Sequence, residues 1–390
     1  MGFRMYVPTK IVFGEGKLDV LSRQKLPGKK ALLVISSGKS VRVNKTLERT
    51  EEQLRQAGIE WVLFDKIMAN PLKSVVMDGA ACARENQCDF IVALGGGSVM
   101  DASKAIAAMA VNEGDLWDYV VGGTGKARRL EKKPLPVVAI TTTAGTGSEV
   151  DAFGVITNDE TNEKIGFGGQ TSLFPVLAIV DPGLMASVPP RFTAYQGFDA
   201  LFHSVEGYIA STANLMSDMY ALTAIENVGK YLARAVRDGG DREAREGLAF
   251  ANTLSGVVMT ISACTSEHAL EHAMSAYHQD LPHGAGLIMI SREYHSHFVE
   301  KGACDQRYVR MAQALGMADA KEPGDFIAAL TALQKECGTD RLKMSEYGIK
   351  PEEFSLLAKN AKDTMGGLFK CDRIPLSEDE CVRIFEKSYQ

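Results

Sequence analysis

The sequence predicts an α/β N-terminal domain on a parallel, doubly wound sheet, followed by an all-helical C-terminal domain. Three observations carry this. Apolar runs of strand length alternate with helical stretches as far as Val180. The alternation stops in the turn-rich stretch from Asp181-Pro182-Gly183 to Pro189-Pro190. From Phe192 onward the chain shows helical periodicity broken by short loops, with almost no β-branched runs. The boundary is therefore placed between residues 1–187 and 188–390. Neither internal repeats nor low-complexity segments interrupt this plan.

The elements follow in order. Residues 30–35 (KALLVI) read as a buried strand, and residues 45–57 as a helix that Gly58 ends. Residues 60–65 are strand-like and 74–86 helical. Residues 89–94 (DFIVAL) form the clearest buried strand, with a helix over 98–111 behind it. Residues 137–142, 153–157 and 176–180 continue the strand pattern.

A chain of 390 residues has ample length for two or three domains and a large core. With 45% hydrophobic and 24% charged residues it has an ordinary globular composition. Its net charge of −6 and pI near 5.8 argue against nucleic acid as the main partner, since phosphate binding leaves a basic footprint. No stretch has the length and apolarity of a membrane span, and no signal-peptide core follows Arg4. The seven cysteines form no CxxC pair, which fits a reducing cytoplasm. A homo-oligomer, a dimer or larger, is the expected state.

The chain has seven histidines, and all but His203 lie between 268 and 297. Asp199 and His203 stand four residues apart, as do His268 and His272, so each pair shares a helix face. His283, between Pro282 and Gly284, is expected just past a helix end. A carboxylate with two or three imidazoles suits Fe(II) or Zn(II). One such pair is usually an ordinary core or surface feature; two pairs and a Pro-His-Gly in a histidine-poor chain favour metal. Spacing alone leaves these five candidates for about four positions. His278, His295 and His297 have weaker claims, with solvated or outer positions expected for them.

Two loops point to a nucleotide. Gly95-Gly96-Gly97-Ser98 follows a strand and opens a helix, where bare N–H groups suit a pyrophosphate. The run is not the GxGxxG fingerprint, and a glycine-rich turn is often only a turn. Asp101 and Lys104, early on that helix, are within reach of a nucleotide, or else are surface charges. The hydroxyl-rich run TTTAGTGSE (141–149) follows the next strand and lines the same carboxyl edge. After the strand at 30–35 stand Ser36-Ser37-Gly38-Lys39. No acid is there to hold a ribose 2′-hydroxyl and repel a 2′-phosphate, and Ser36 and Lys39 become candidates to receive that phosphate.

Taken together, the sequence resembles the iron-containing alcohol dehydrogenase family. The resemblance is carried by Phe13-Gly14-Glu15-Gly16, Asn70-Pro71, GGGSVMDASKA (95–105), TTTAGTGSE (141–149), Lys164, Val180-Asp181-Pro182, GFDALFHSVE (197–206), His268-Ala269-Leu270-Glu271-His272 and Pro282-His283-Gly284. It implies a dehydroquinate synthase-like architecture, with a Rossmann-like sheet domain before the helices. Metal ligands are implied at Asp199, His203, His268 and His283, with His272 beside the metal as the catalytic proton relay. Pyrophosphate contacts are implied from Gly95, Gly96, Gly97 and Ser98. Further nucleotide contacts are implied from Asn70, Thr142, Thr143, Thr146, Ser148, Lys164 and Leu184. Two departures stand out: the step from His272 to His283 is one residue longer than in the best-known members, and Ser36 replaces the aspartate of NAD-preferring members. The expectation is an Fe(2+) enzyme, with Zn(2+) as the alternative ion, using NAD(P) with a lean toward NADP. It moves a hydride between that cofactor and a small primary alcohol or aldehyde.

Rival readings cover less of the chain. His268-Ala269-Leu270-Glu271-His272 also fits the H-x-x-E-H metallopeptidase motif, in which both histidines bind zinc and the glutamate is the general base. It explains one pentapeptide. A zinc enzyme of the glycerol dehydrogenase or dehydroquinate synthase kind would share the architecture. A non-enzymatic binding protein is the blandest alternative.

Overall fold

The structure, a computed structural model, describes residues 2–389. The chain divides into two compact units. One spans Val7–Val188; the other holds the helices from Pro189 onward together with residues 2–6.

The first unit is built on a six-stranded, wholly parallel sheet in the order β1-β8-β5-β4-β2-β3. The strands are β1 (Lys10–Phe13), β2 (Lys30–Ser36), β3 (Glu60–Ile67), β4 (Phe90–Gly95), β5 (Val137–Thr141) and β8 (Leu177–Val180). Helices α1 (Ser40–Val43), α2 (Thr46–Gln56), α3 (Lys73–Glu85) and α4 (Gly97–Met109) connect them. All of β4, β5 and β8 is buried, as a parallel sheet covered on both faces requires. Gly58, at φ 69°, ends the turn after α2 in the left-handed conformation that glycine adopts without cost.

The edge strand β1 is held by a side chain as well as by pairing. Asp181, just past β8, accepts from the backbone N–H groups of Gly16 at 3.0 Å, Leu18 at 3.1 Å and Gly183 at 3.0 Å. The two motifs Phe13-Gly14-Glu15-Gly16 and Val180-Asp181-Pro182 are thus one structural clasp.

The segment near 153–157 departs from expectation. As β6 (Phe153–Asn158) it leaves the main sheet and pairs antiparallel with β7 (Glu163–Gly168). At Gly154 a Cβ would come within 2.9 Å of the Asp101 backbone on α4. The hairpin therefore lies directly on that helix. β7 escapes sequence reading because it opens on Glu163-Lys164 and carries two glycines.

The second unit contains α5 (Pro190–Ile209), α6 (Leu215–Arg237), α7 (Arg242–Ile261), α8 (Ser266–Tyr277), α9 (His283–Glu300), α10 (Asp305–Ala314), α11 (Asp325–Glu336), α12 (Phe354–Phe369) and α13 (Glu378–Ser388). No strand lies in this unit among the described residues. The starts of α6 and α7 are capped by side chains: Asn214 accepts from the N–H groups of Met216 and Ser217, and Asp241 from that of Ala244. No single helix among the described residues is long and apolar enough to cross a membrane.

Candidate functional site

Three helices of the second unit converge on one carboxylate. Asp199 and His203 lie one turn apart on α5, and His268 lies on α8. His283 is the first residue of α9, not a residue past a helix end. Pro282 precedes it with φ −65°, the value that suits a helix start. Gly284 then packs against α5 so closely that a Cβ would meet the Tyr195 carbonyl oxygen at 2.2 Å. That contact explains the Pro-His-Gly run: proline starts the helix, glycine lets it touch α5, and His283 is delivered to Asp199.

Asp199 Oδ1 lies 3.5 Å from His203 Nδ1, 3.6 Å from His268 Nε2 and 3.5 Å from His283 Nε2. These separations are long for hydrogen bonds. Each matches the spacing of two donors on one ion, since donors bonded at about 2.0–2.2 Å to a tetrahedral metal stand about 3.3–3.6 Å apart. Asp199, His268 and His283 also offer donor atoms within 4.8 Å of one another, while His203 groups with His268 and Cys264. Asp199 Oδ1, His203 Nδ1 and His268 Nε2 are also buried with no hydrogen bond, a cost that an ion removes. The donor set fits Fe(II) or Zn(II).

Two buried glutamates stand behind the imidazoles. Glu206, on α5, bonds Nδ1 of His268, and Glu271, on α8, bonds Nδ1 of His283. Each ring thereby turns its Nε2 toward Asp199, the arrangement that orients metal-binding histidines. Glu206 is itself fixed by the Thr265 N–H at 2.6 Å and the Thr265 hydroxyl at 2.9 Å. Burial opposes the charge on His268, but Glu206 and Asp199 beside it outweigh that and push its pKa up to about 10. Burial takes His203 down to about 4. Burial also opposes the Asp199 charge, yet His203 and His283 hold its pKa well below the usual range.

His272 stands one turn after His268, with its ring centroid 6.1 Å from that of His268 and 5.3 Å from that of His283. It is buried beside the centre and is not among the three nitrogens around Asp199. The other histidines are engaged elsewhere. His278 pairs with Glu353 at 3.2 Å and His297 approaches Glu380 at 3.8 Å. His295 is fully buried rather than solvated, 3.1 Å from Glu267 and 3.1 Å from the Tyr308 hydroxyl.

In the first unit, the glycine and hydroxyl loops touch each other at the carboxyl ends of β4 and β5. The Thr142 N–H donates to the Gly95 carbonyl at 2.9 Å. A Cβ on Gly96 would meet Thr143 at 2.8 Å, and one on Gly97 would meet Thr146 at 2.3 Å. The glycines thus serve loop-to-loop packing as well as leaving N–H groups bare at the start of α4. Ser98, Thr142, Thr143 and Thr146 are half-buried along this edge.

Three polar residues near these loops are turned inward. Lys104 is fully buried, and its Nζ donates to Asp151 Oδ1 at 2.6 Å, Ser148 Oγ at 2.8 Å and the Phe153 carbonyl at 2.6 Å. The Ser148 hydroxyl donates to Asp101 Oδ1 at 2.6 Å, and the Val155 N–H donates to Asp101 Oδ2 at 2.9 Å. Neither surface charges nor an open lysine stand here. The network joins α4, the hydroxyl loop and the β6–β7 hairpin, and burial pushes the Asp101 pKa up to about 6. The Leu184 side chain likewise packs in the sheet core. Asn70 and Lys164 are buried, Asn70 at a left-handed φ of 52°. Ser36 ends β2 half-buried, and Lys39 is exposed.

Comparison with known proteins decides among the readings. Residues 8–182 match the iron-containing alcohol dehydrogenase family, and residues 193–389 match the family's C-terminal part. The 1,3-propanediol dehydrogenase of Klebsiella pneumoniae is 35% identical, with 100% of both chains covered. The chain belongs to the iron-containing alcohol dehydrogenase family. The NADH-dependent butanol dehydrogenase A of Clostridium acetobutylicum is 30% identical over the full length of both. Among solved structures, an archaeal halo-thermophilic Red Sea brine pool alcohol dehydrogenase superposes with a TM-score of 0.94 at 36% identity, over 100% of this chain and 99% of that one. The sulfoacetaldehyde reductase of Bifidobacterium kashiwanohense, in complex with NAD+, gives a TM-score of 0.84 at 26% identity, covering 99% and 98%.

Membership sets aside the rival enzymes and the bland binding protein, and the geometry says why the peptidase fails. Glu271, the base that a peptidase of this motif needs, is fully buried and occupied with His283. Sequence reading missed the supporting roles of Glu206 and Glu271. The signal was there: each is three residues from a histidine of the cluster, but a glutamate on a helix has too many ordinary roles to stand out.

Proposed function

We propose that this alcohol dehydrogenase is an Fe(2+) enzyme that holds its ion with Asp199, His203, His268 and His283. It moves a hydride between NADP(H), in preference to NAD(H), and a small primary alcohol or aldehyde. The observation that carries the reading is the set of three imidazole nitrogens 3.5–3.6 Å from one buried carboxylate oxygen. The ion would supply Lewis-acid polarisation of the substrate oxygen, and the nicotinamide takes or gives the hydride.

The chain's own residues do the rest. Glu206 and Glu271 aim His268 and His283. His272, beside the centre without joining it, relays the hydroxyl proton at a ring nitrogen. The bare N–H groups of Gly95–Ser98 receive the pyrophosphate. Thr142, Thr143 and Thr146 line the same edge as nucleotide contacts, with Asn70 and Lys164. The propanediol and butanol dehydrogenases among the relatives support a small alcohol substrate.

The test is a panel of short alcohols, diols and aldehydes with both reduced cofactors, on iron-reconstituted enzyme prepared without oxygen. Turnover of small aldehydes, with iron giving more activity than zinc, is expected. Equal activity of metal-stripped enzyme overturns the metal's role, and rejection of NADPH overturns the cofactor preference.

A further inference from the structure

We propose that Cys264 gives the histidine centre a second, sulfur-containing coordination mode, used by thiophilic divalent ions such as zinc, cobalt and cadmium. The idea rests on the metal reading above and adds a ligand outside the four-residue set. Cys264 is half-buried in the loop between α7 and α8, four residues before His268. Its Sγ, a ring nitrogen of His203 and a ring nitrogen of His268 all lie within 4.8 Å of one another. Among the described residues, this is the one cluster of metal-ligand type that contains a cysteine.

The second observation is independent of the thiol. His203 Nδ1 and His268 Nε2 are buried without a hydrogen bond, on the two rings that group with the thiol, and an ion is one way to satisfy such nitrogens. In a tetrahedral zinc site, sulfur at about 2.3 Å and nitrogen at about 2.0 Å stand about 3.5 Å apart.

Chemistry then sorts the ions. Thiolate selects soft and borderline cations, while magnesium and manganese prefer oxygen. As the ion binds, the metal–sulfur bond forms, the S–H bond breaks and the proton leaves to water, with no change of oxidation state. Both modes use His203 and His268, so the chain holds one ion whichever it adopts. A bound thiolate takes a coordination position that a substrate oxygen otherwise has, so ions that accept sulfur give the less active enzyme.

The experiment strips the full-length protein of metal by chelation and titrates it with cobalt(II) under argon, beside a C264S variant. Wild type is expected to bind one equivalent and to show a near-ultraviolet thiolate-to-cobalt charge-transfer band. C264S is expected to bind one equivalent without that band. Stoichiometric cobalt with no band in wild type, or a band that persists in C264S, overturns the sulfur mode and leaves the Asp199 site standing. Absence of bound cobalt overturns both. A measurement on wild type alone guards against a misfolded variant: zinc, but not magnesium, should protect Cys264 from iodoacetamide in a peptide mass map. Equal labelling with and without zinc overturns the proposal.

Discussion

The helical centre and the nucleotide-edge loops solve opposite problems with the same residue types. In the helical unit, polar side chains point at a shared centre, and buried carboxylates aim them there. Glu206 and Glu271 exist to turn two imidazoles. In the α/β unit, the polar side chains point away from the open edge. Lys104, Ser148, Asp101 and Asp151 bind one another and leave the edge to backbone N–H groups and small hydroxyls. A site that must hold an ion is therefore written in side chains, and a site that must cradle phosphates is written in the absence of them.

The largest effect should come from breaking the first arrangement. Asp199→Ala, His203→Ala, His268→Ala and His283→Ala each remove one donor from a set held at fixed separations. Each variant should lose most of its bound iron by elemental analysis, with the α/β unit still binding nucleotide. If all four keep stoichiometric metal, the centre has been misassigned.

Breaking the second arrangement should cost folding rather than metal. Lys104→Met leaves Asp151, only 4% exposed, without its 2.6 Å partner. Removing one member of a buried pair costs about 3–5 kcal/mol. The loss should appear as a lower denaturation midpoint and weaker nucleotide binding, with iron content per folded chain unchanged. A lysine that worked on the nucleotide alone would instead leave the midpoint where it was.

The comparison also says what was legible. The i,i+4 spacing of Asp199/His203 and of His268/His272 showed in the sequence because a helix converts spacing directly into a shared face. Distinguishing His272 from the other four did not follow from spacing, since it has the same period as a ligand. The parallel strands were legible because β4, β5 and β8 are continuous apolar runs. β1 was not, being four residues long and stabilised by the distant Asp181. Lys104 and Ser148 were misplaced for a related reason: their partners lie 44 and 47 residues away along the chain. Long-range burial of a lysine leaves no local periodicity to read.

His272 separates neighbourhood from ligation. His272→Ala should keep its iron and turn over roughly 10–100-fold more slowly, the range typical of groups just outside a metal. The loss should fall mainly on kcat, because a proton relay acts in the reaction and not in substrate binding. Loss of iron in this variant would instead place His272 on the metal.

The smallest effect concerns cofactor choice, and it turns on charge at the end of β2. An acid there accepts from the ribose hydroxyls of NAD and repels a 2′-phosphate. Ser36 carries no charge, so that repulsion is missing. The nearby acid, Asp65 on β3, is already paired at 2.6 Å with Arg42 of α1. Lys39 is exposed, and its ammonium and the Ser36 hydroxyl are both donors that phosphate oxygens accept. Ser36→Asp puts an acid at the end of β2, where the proposed function places the ribose. With one aldehyde, the ratio of kcat/KM for NADPH to that for NADH should fall by about five- to thirtyfold, or about 1–2 kcal/mol. Arg42→Ala supplies the control for direction. It frees Asp65 to repel the phosphate, so it should move the ratio the same way, by less than Ser36→Asp, which acts closer to the ribose. A wild type that already rejects NADPH, or a Ser36→Asp variant with an unchanged ratio, places the choice at other residues.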